Sequence, residues 1–77
     1  MATETAAYQD RIIQDPKIMV GKPVIKGTRV AVTTVLGHLA AGVTAESVAE
    51  EYRLTKEDVL ACLGYALHVV ESYEVRA

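Results

Sequence analysis

Residues 44–59 read TAESVAEEYRLTKEDV, and this stretch decides the fold. It holds two helix starts, Thr44 and Thr55, because a threonine hydroxyl can accept a hydrogen bond from the first turn of the helix that follows it. Asp58 stands three residues after Thr55, which makes a short version of the capping box. With a connection of about three residues between the two predicted helices, the spacing is that of a helix-turn-helix unit.

Three helices are predicted in all. Two of them cover roughly residues 45–52 and 56–73, and an earlier one is capped by Thr33 or Thr34 and ends near residue 41. The apolar residues of each segment recur at a spacing close to 3.6 residues, as expected for helices that bury one side. The predicted body is therefore a bundle of three helices.

Ahead of the helices, residues 11–32 alternate short apolar pairs with Gly and Pro breaks, a pattern typical of short strands and turns. The fold class is therefore mainly α: a three-helix, helix-turn-helix-like bundle with a short β-rich N-terminal segment. We expect residues 1–10 to be a flexible leader and residues 11–77 to form one domain, with the helices in 33–74.

Length and composition restrict the class of protein. A chain of 77 residues buries too little surface to be more than marginally stable alone, so oligomerisation is the expected source of further burial. Cys62 is the only cysteine, and no Cys/His cluster has metal-ligand spacing, so no disulfide, metal or cofactor is expected. The free cysteine and the lack of a signal peptide or membrane-length apolar run predict a cytoplasmic protein without membrane contact.

The third predicted helix is apolar on nearly every side. One apolar stripe comprises Val59, Leu63, Ala66 and Val70, continued by Leu67 and Tyr73. Leu60, Cys62, Tyr65 and Val69 lie largely off that stripe. Because a helix of a three-helix bundle needs only one apolar face, we expect a second side to be covered by a twin or partner, although all these residues could instead face the domain's own core. The candidate interface residues are Leu60, Leu63, Tyr65, Leu67, Val69 and Val70.

The charge distribution argues against a DNA-reading third helix. The net charge is −2, whereas an autonomous DNA-binding domain is usually basic. The first turn of this helix carries Lys56, Glu57 and Asp58, and two acids to one base suit a phosphate-lined groove poorly. If DNA is bound, the basic segment around Lys22 and Lys26 is the better candidate for backbone contact.

Catalytic arrangements are absent from the sequence. Ser47 and Ser72 have no nearby histidine, and Cys62 has no cationic neighbour that would activate its thiol. The segment from Gly21 to Arg29 lacks the residue order of a phosphate-binding loop, so its glycines are assigned to turns and Arg29 is expected to anchor the loop to an acid or a carbonyl. The chain is therefore predicted not to be an enzyme.

Three further stretches identify a family resemblance. They are DPKIMVGKPVIKGTRVAV at residues 15–32, AGVT at residues 41–44 and EEYRLTKEDV at residues 50–59. Together they resemble the family known as domain of unknown function 433 over roughly residues 11–73. The resemblance implies a homeodomain-like or winged-helix-like fold and a role as the antitoxin of a type II toxin–antitoxin pair beside a PIN-like ribonuclease toxin. Its signature residues, candidates for partner or phosphate contact together with Lys26, are Gly21, Lys22, Pro23, Gly27, Thr28 and Arg29.

Two functions compete at this point. The first is a non-enzymatic, antitoxin-like module that binds a PIN-like toxin and forms a homodimer through the third helix, with or without binding to operator DNA. The second is a sequence-specific DNA-binding regulator that uses the helix-turn-helix unit. The apolar third helix favours the first.

Overall fold

The computed structural model describes residues 10–76, so the leader predicted at residues 1–10 falls outside the described residues except for Asp10. The elements are β1 (Ile12–Ile13), a 3₁₀ turn (Met19–Gly21), β2 (Val24–Ile25), α1 (Val32–Ala40), α2 (Ala45–Tyr52) and α3 (Lys56–Arg76). This order confirms the mainly α, three-helix architecture with a short β-rich segment ahead of it. Within the described range, no helix is long and apolar enough to cross a membrane.

The short strands form a small antiparallel sheet. Ile12 of β1 lies opposite Ile25 of β2, and the chain then turns back so that Val24 also forms an isolated bridge with Ala31. Gly27 makes this turn possible with a φ of 81°, a left-handed value that favours glycine. Val24 and Ile25 are completely buried, so the sheet is stabilised mainly by its packing against the helices.

The start of α1 differs from the prediction. The N-cap is Ala31, whose side chain makes no capping hydrogen bond, and Thr33 and Thr34 lie inside the first turn. The physical reason is the sheet. The N–H of Val32 donates to the carbonyl of Pro23 at 2.9 Å, so this N–H at the start of the helix has an acceptor and needs no capping hydroxyl. The sheet therefore determines where α1 begins.

The predicted caps of α2 and α3 are confirmed. Thr44 Oγ1 accepts a hydrogen bond from the Ser47 N–H at 3.1 Å at the start of α2. At the start of α3, Thr55 Oγ1 accepts from the Asp58 N–H at 3.0 Å, and Asp58 Oδ2 accepts from the Thr55 N–H at 3.0 Å. Two donors at the start of α3 are thus satisfied reciprocally, as in a capping box.

One core joins the sheet to all three helices. Its buried members are Ile12, Ile25, Val32, Val35, Val48, Leu54, Val59, Ala61 and Cys62. α3 contributes Val59, Ala61 and Cys62 to this core, whereas Leu63 and Val70 of the predicted stripe are exposed. Because successive helical residues are about 100° apart, the buried side of α3 is centred about one residue away from that stripe. Small Ala61 and Cys62 let it pack closely.

Candidate protein-binding site

A row of exposed leucine and valine side chains runs along α3. Its members, which we call the α3 seam, are Leu60, Leu63, Leu67 and Val70. They are spaced three, four and three residues apart, which is the alternation of core positions in a coiled coil. Each remains between 43 and 53% exposed, although soluble monomers rarely leave such continuous apolar rows uncovered.

The other predicted interface residues lie elsewhere on α3. Tyr65 is half-buried and packs against the core, so the structure does not bring it together with the seam. Val69 is exposed but projects from another side of the helix, as does Tyr73, which is outside the predicted set and 69% exposed. Of the six candidate interface residues, four therefore form one exposed row and two lie off it.

The C-terminal half of α3 extends past the core. The last residue of α3 in the buried core is Cys62, and every residue from Leu67 to Glu74 is exposed. This half of the helix includes four large apolar side chains and receives little support from its own domain. Helical stability usually comes from packing of an apolar face, and the apolar side chains of this half do not pack against the core of their own domain.

A cleft lies beside the seam, between α2 and α3. Its volume is about 650 Å³. Leu60 and Leu63 of the seam line it together with Ala49, while Glu46 and Lys56 are among its polar lining residues. This cleft was not predicted from the sequence, where the small side chain of Ala49 on α2 is the one signal for it.

At the start of α3, Asp58 is held by two neighbours. Arg11 Nη1 donates to Asp58 Oδ1 at 3.0 Å, while the other carboxylate oxygen accepts from Thr55. Partial burial by itself raises the pKa of Asp58, but the hydrogen bonds from Thr55 and Arg11 and the charge of Arg11 outweigh it and lower the pKa below its ordinary value of 3.8. Asp58 is therefore a structural group and not a free acid offered to a partner.

Among the signature residues Gly27, Thr28 and Arg29, Thr28 is the one that anchors the turn. Its hydroxyl donates to the Ile25 carbonyl at 2.7 Å and accepts from the Val30 N–H at 2.9 Å, so it ties the two arms of the turn together. The expectation that Arg29 anchors the loop is wrong: its side chain is exposed and makes no hydrogen bond or ion pair with residues 10–76. The turn already has a smaller, local anchor, which leaves the guanidinium of Arg29 available.

A substitution pair tests these assignments. Thr28→Val should lower the free energy of unfolding by about 1–2 kcal/mol, because it removes a donor and leaves the Val30 N–H without its acceptor. Arg29→Ala should change it by no more than about 0.5 kcal/mol. Chemical denaturation of both variants measures the difference, and equal losses would contradict the assignment.

Other residues of the signature segment lie at the surface. Lys22 and Lys26 are exposed, whereas Pro23 is half-buried and its carbonyl accepts from Val32. Gly21 has a φ of 82°, which confirms its predicted turn role. Just before it, Val20 also has a left-handed φ of 58° and is 92% exposed, which is strained for a β-branched residue. The loop therefore presents the apolar side chains of Met19 and Val20 among lysines.

The remaining reactive side chains are occupied or buried. His38 Nε2 lies 2.9 Å from the Tyr52 hydroxyl and joins α1 to α2. Burial raises the pKa of the Cys62 thiol to about 11, and the charge of Asp58 adds to this, so the thiol is protonated at neutral pH. Among residues 10–76, no three His, Cys, Asp or Glu side chains are grouped to hold a metal ion.

Comparison with known proteins adds three findings. The sequence profile of a family described as "Protein of unknown function (DUF433)" matches residues 12–66. A protein of Mycobacterium tuberculosis (strain ATCC 25618 / H37Rv) named "Putative antitoxin VapB45" is 40% identical over 48 residues, which are 62% of this chain and 20% of that protein. The X-ray crystal structure of Rv2018 from Mycobacterium tuberculosis is similar with a TM-score of 0.66 and 37% identity, over 75% of this chain and 28% of that one. The chain thus spans less than a third of either relative.

Proposed function

The chain belongs to the family of proteins of unknown function DUF433, and from this premise we propose that it is a non-enzymatic, antitoxin-like binding module of a type II toxin–antitoxin pair. In this role it binds a PIN-like ribonuclease toxin in the cytoplasm and forms a homodimer through α3. The α3 seam carries the proposal, since an exposed row of apolar side chains suits a protein partner. The similarity to a protein named as an antitoxin supports it.

The charges beside the seam favour a protein partner over DNA. Glu46 and Glu50 of α2 line the cleft next to the start of α3, where Glu57 is exposed and Lys56 is the nearby base. A helix entering the major groove must approach phosphates on both sides, and this face would carry three carboxylates towards them. The α2–α3 unit is thus poorly suited to reading DNA.

A second surface of the chain, separate from the α3 seam, is available to bind the toxin. The loop with Val20, Lys22, Lys26 and Arg29 belongs to the sheet end of the chain and shares no residue with the α3 seam. It offers the exposed apolar side chains of Met19 and Val20 together with three cations, and the cationic side chains make no hydrogen bonds or ion pairs with residues 10–76. A module with two separate surfaces can hold a twin on α3 and a toxin at this basic loop.

Neutralisation of the toxin tests the proposal. The chain is co-expressed with a PIN-like ribonuclease, and ribonuclease activity is measured on a fluorogenic RNA. An equimolar amount of the chain should co-elute with the enzyme and lower its activity about ten-fold or more. The variant Lys22→Ala/Lys26→Ala/Arg29→Ala should lose most of this effect, whereas a matched variant of exposed acids, Glu50→Ala/Glu51→Ala, should keep it.

Separate elution with undiminished ribonuclease activity would contradict the toxin partner. A salt-sensitive shift of the upstream promoter DNA, abolished by Lys22→Ala/Lys26→Ala, would instead favour the DNA-binding regulator.

A further inference from the structure

The α3 seam has a charged residue at each end. Lys56 precedes Leu60 by four residues, and Glu74 follows Val70 by four. The complete row is Lys56, Leu60, Leu63, Leu67, Val70 and Glu74, with spacings of four, three, four, three and four. The spacing of the row is the same when it is followed from either end, but one end carries a positive charge and the other a negative charge.

Each of these charges lies at the wrong end of its own helix. Lys56 is the first residue of α3, where the helix dipole is positive, and Glu74 lies in the last turn, where it is negative. A lone helix is stabilised by the reverse arrangement, with acids first and bases last. Beside an antiparallel helix, both charges would face a dipole end of opposite sign.

We propose that two copies of the chain pair through α3 in an antiparallel orientation, which rests on the self-association in the proposed function. Leu63 then faces Leu67 of the second copy, and Leu60 faces Val70 of the second copy. Lys56 faces Glu74 of the second copy at both ends of the row. A parallel pair would instead place Lys56 against Lys56 and Glu74 against Glu74, and like charges in contact are unfavourable.

The α2–α3 cleft fits the same arrangement. In an antiparallel pair, the C-terminal half of α3 in one copy lies along the N-terminal half of α3 in the other. Leu60 and Leu63, which line the cleft, are the residues that meet Val70 and Leu67 of the second copy. One pairing therefore covers the cleft and also the helical half that extends past its own core.

The outer flank of the row carries acids that moderate the charge effect. Glu57 and Glu71 lie on the same side of the seam, and Glu57 of one copy comes near Glu71 of the other at the solvent edge. Lys56 is then close to both Glu71 and Glu74 of the second copy and offsets this repulsion. We therefore expect apolar contact to supply most of the affinity and the charges to select the orientation.

Disulfide trapping tests the orientation. Leu60→Cys and Val70→Cys variants of different mass, one carrying a tag, are mixed and oxidised in the full-length chain. In the antiparallel pair these two positions face each other, whereas two copies of position 60 are separated by about 15 Å along the helix axis, too far for a disulfide. The mixed cross-link should exceed either same-variant cross-link about ten-fold or more. The unmodified chain is the control, since Cys62 is completely buried.

Charge reversal supplies a second measurement. Lys56→Glu and Glu74→Lys should each weaken self-association about three- to ten-fold, and the double variant should recover most of the loss. Efficient cross-linking of Leu60→Cys with itself would establish a parallel pair and overturn the proposal. A dimer that forms no mixed cross-link would overturn the register while leaving self-association intact. A monomeric unmodified chain would overturn the self-association itself, and the toxin assay would remain a separate test.

Discussion

Leu67→Glu is expected to weaken self-association about 100-fold or more, so that the variant is monomeric at concentrations where the unmodified chain is dimeric. Leu67 lies in the middle of the α3 seam and is 48% exposed. Burial of a leucine side chain contributes about 1.5–3 kcal/mol, and a carboxylate without a partner in the same place adds a desolvation cost. Sedimentation velocity over a range of concentrations measures the change.

Ser72→Glu is the matched control for this result. It places the same charge on the exposed C-terminal half of α3 but off the seam, and it should change the association constant by less than about three-fold. Ser72→Glu should keep the helical circular dichroism of the native chain, and Leu67→Glu should lose no more than the C-terminal part of α3, because neither residue belongs to the core. Unchanged dimerisation of Leu67→Glu would contradict the assignment of the seam as the interface.

Asp58→Ala should lower the free energy of unfolding by about 2–3 kcal/mol at pH 7. The substitution removes the acceptor of the Thr55 N–H and the carboxylate that holds Arg11, at a position whose side chain is only 15% exposed. Arg11→Ala should cost less, about 0.5–1 kcal/mol, because its side chain is 43% exposed and solvent weakens the ion pair. Urea denaturation under conditions that hold the oligomeric state constant measures both losses.

The effect of Asp58 should also depend on pH in a defined direction. Its pKa in the folded chain is lower than the ordinary value of 3.8, so folding favours the charged form. This contribution is complete above the unfolded pKa and is lost as the pH falls through the folded pKa. The stability difference between the native chain and Asp58→Asn should therefore be constant from about pH 5 to 7 and shrink below about pH 4.

Glu57→Gln provides the comparison for that titration. Glu57 is the neighbouring exposed carboxylate, and its substitution should change stability by about 0.5 kcal/mol or less at pH 7. A stability difference between the native chain and Asp58→Asn that stayed the same down to pH 2 would contradict a lowered pKa of Asp58 in the folded chain.

Local signals in the sequence were sufficient to predict the helices and two of their starts. Thr44 and Thr55 act within three residues of themselves, so their hydrogen bonds depend little on the rest of the fold. The left-handed conformation of Gly42 after α1 is of the same kind, since a helix end commonly uses glycine there. The family signature was equally readable, because its residues are contiguous.

What could not be predicted depends on contacts between distant parts of the chain. Arg11 and Asp58 are 47 residues apart, and no periodicity in either segment indicates that they meet. The start of α1 depends on the carbonyl of Pro23, which reaches Val32 only after the sheet has formed. Likewise, an apolar helix offers several faces of similar hydrophobicity, and only the packing of Cys62 against the other helices shows which one is inside.

The orientation of α3 decides what its apolar residues do. Val59 and Cys62 face the core, and the seam is left exposed on another side of the helix. In the signature loop, Thr28 closes the turn while Arg29 stays available at the surface.

The mass of the unmodified chain in solution tests most directly whether the α3 seam is a protein–protein surface used for self-association. Light scattering coupled to size-exclusion chromatography at tens of micromolar should give twice the chain mass of 8.3 kDa. It should give the single chain mass for Leu67→Glu. A native chain that elutes at 8.3 kDa across this concentration range would contradict the account.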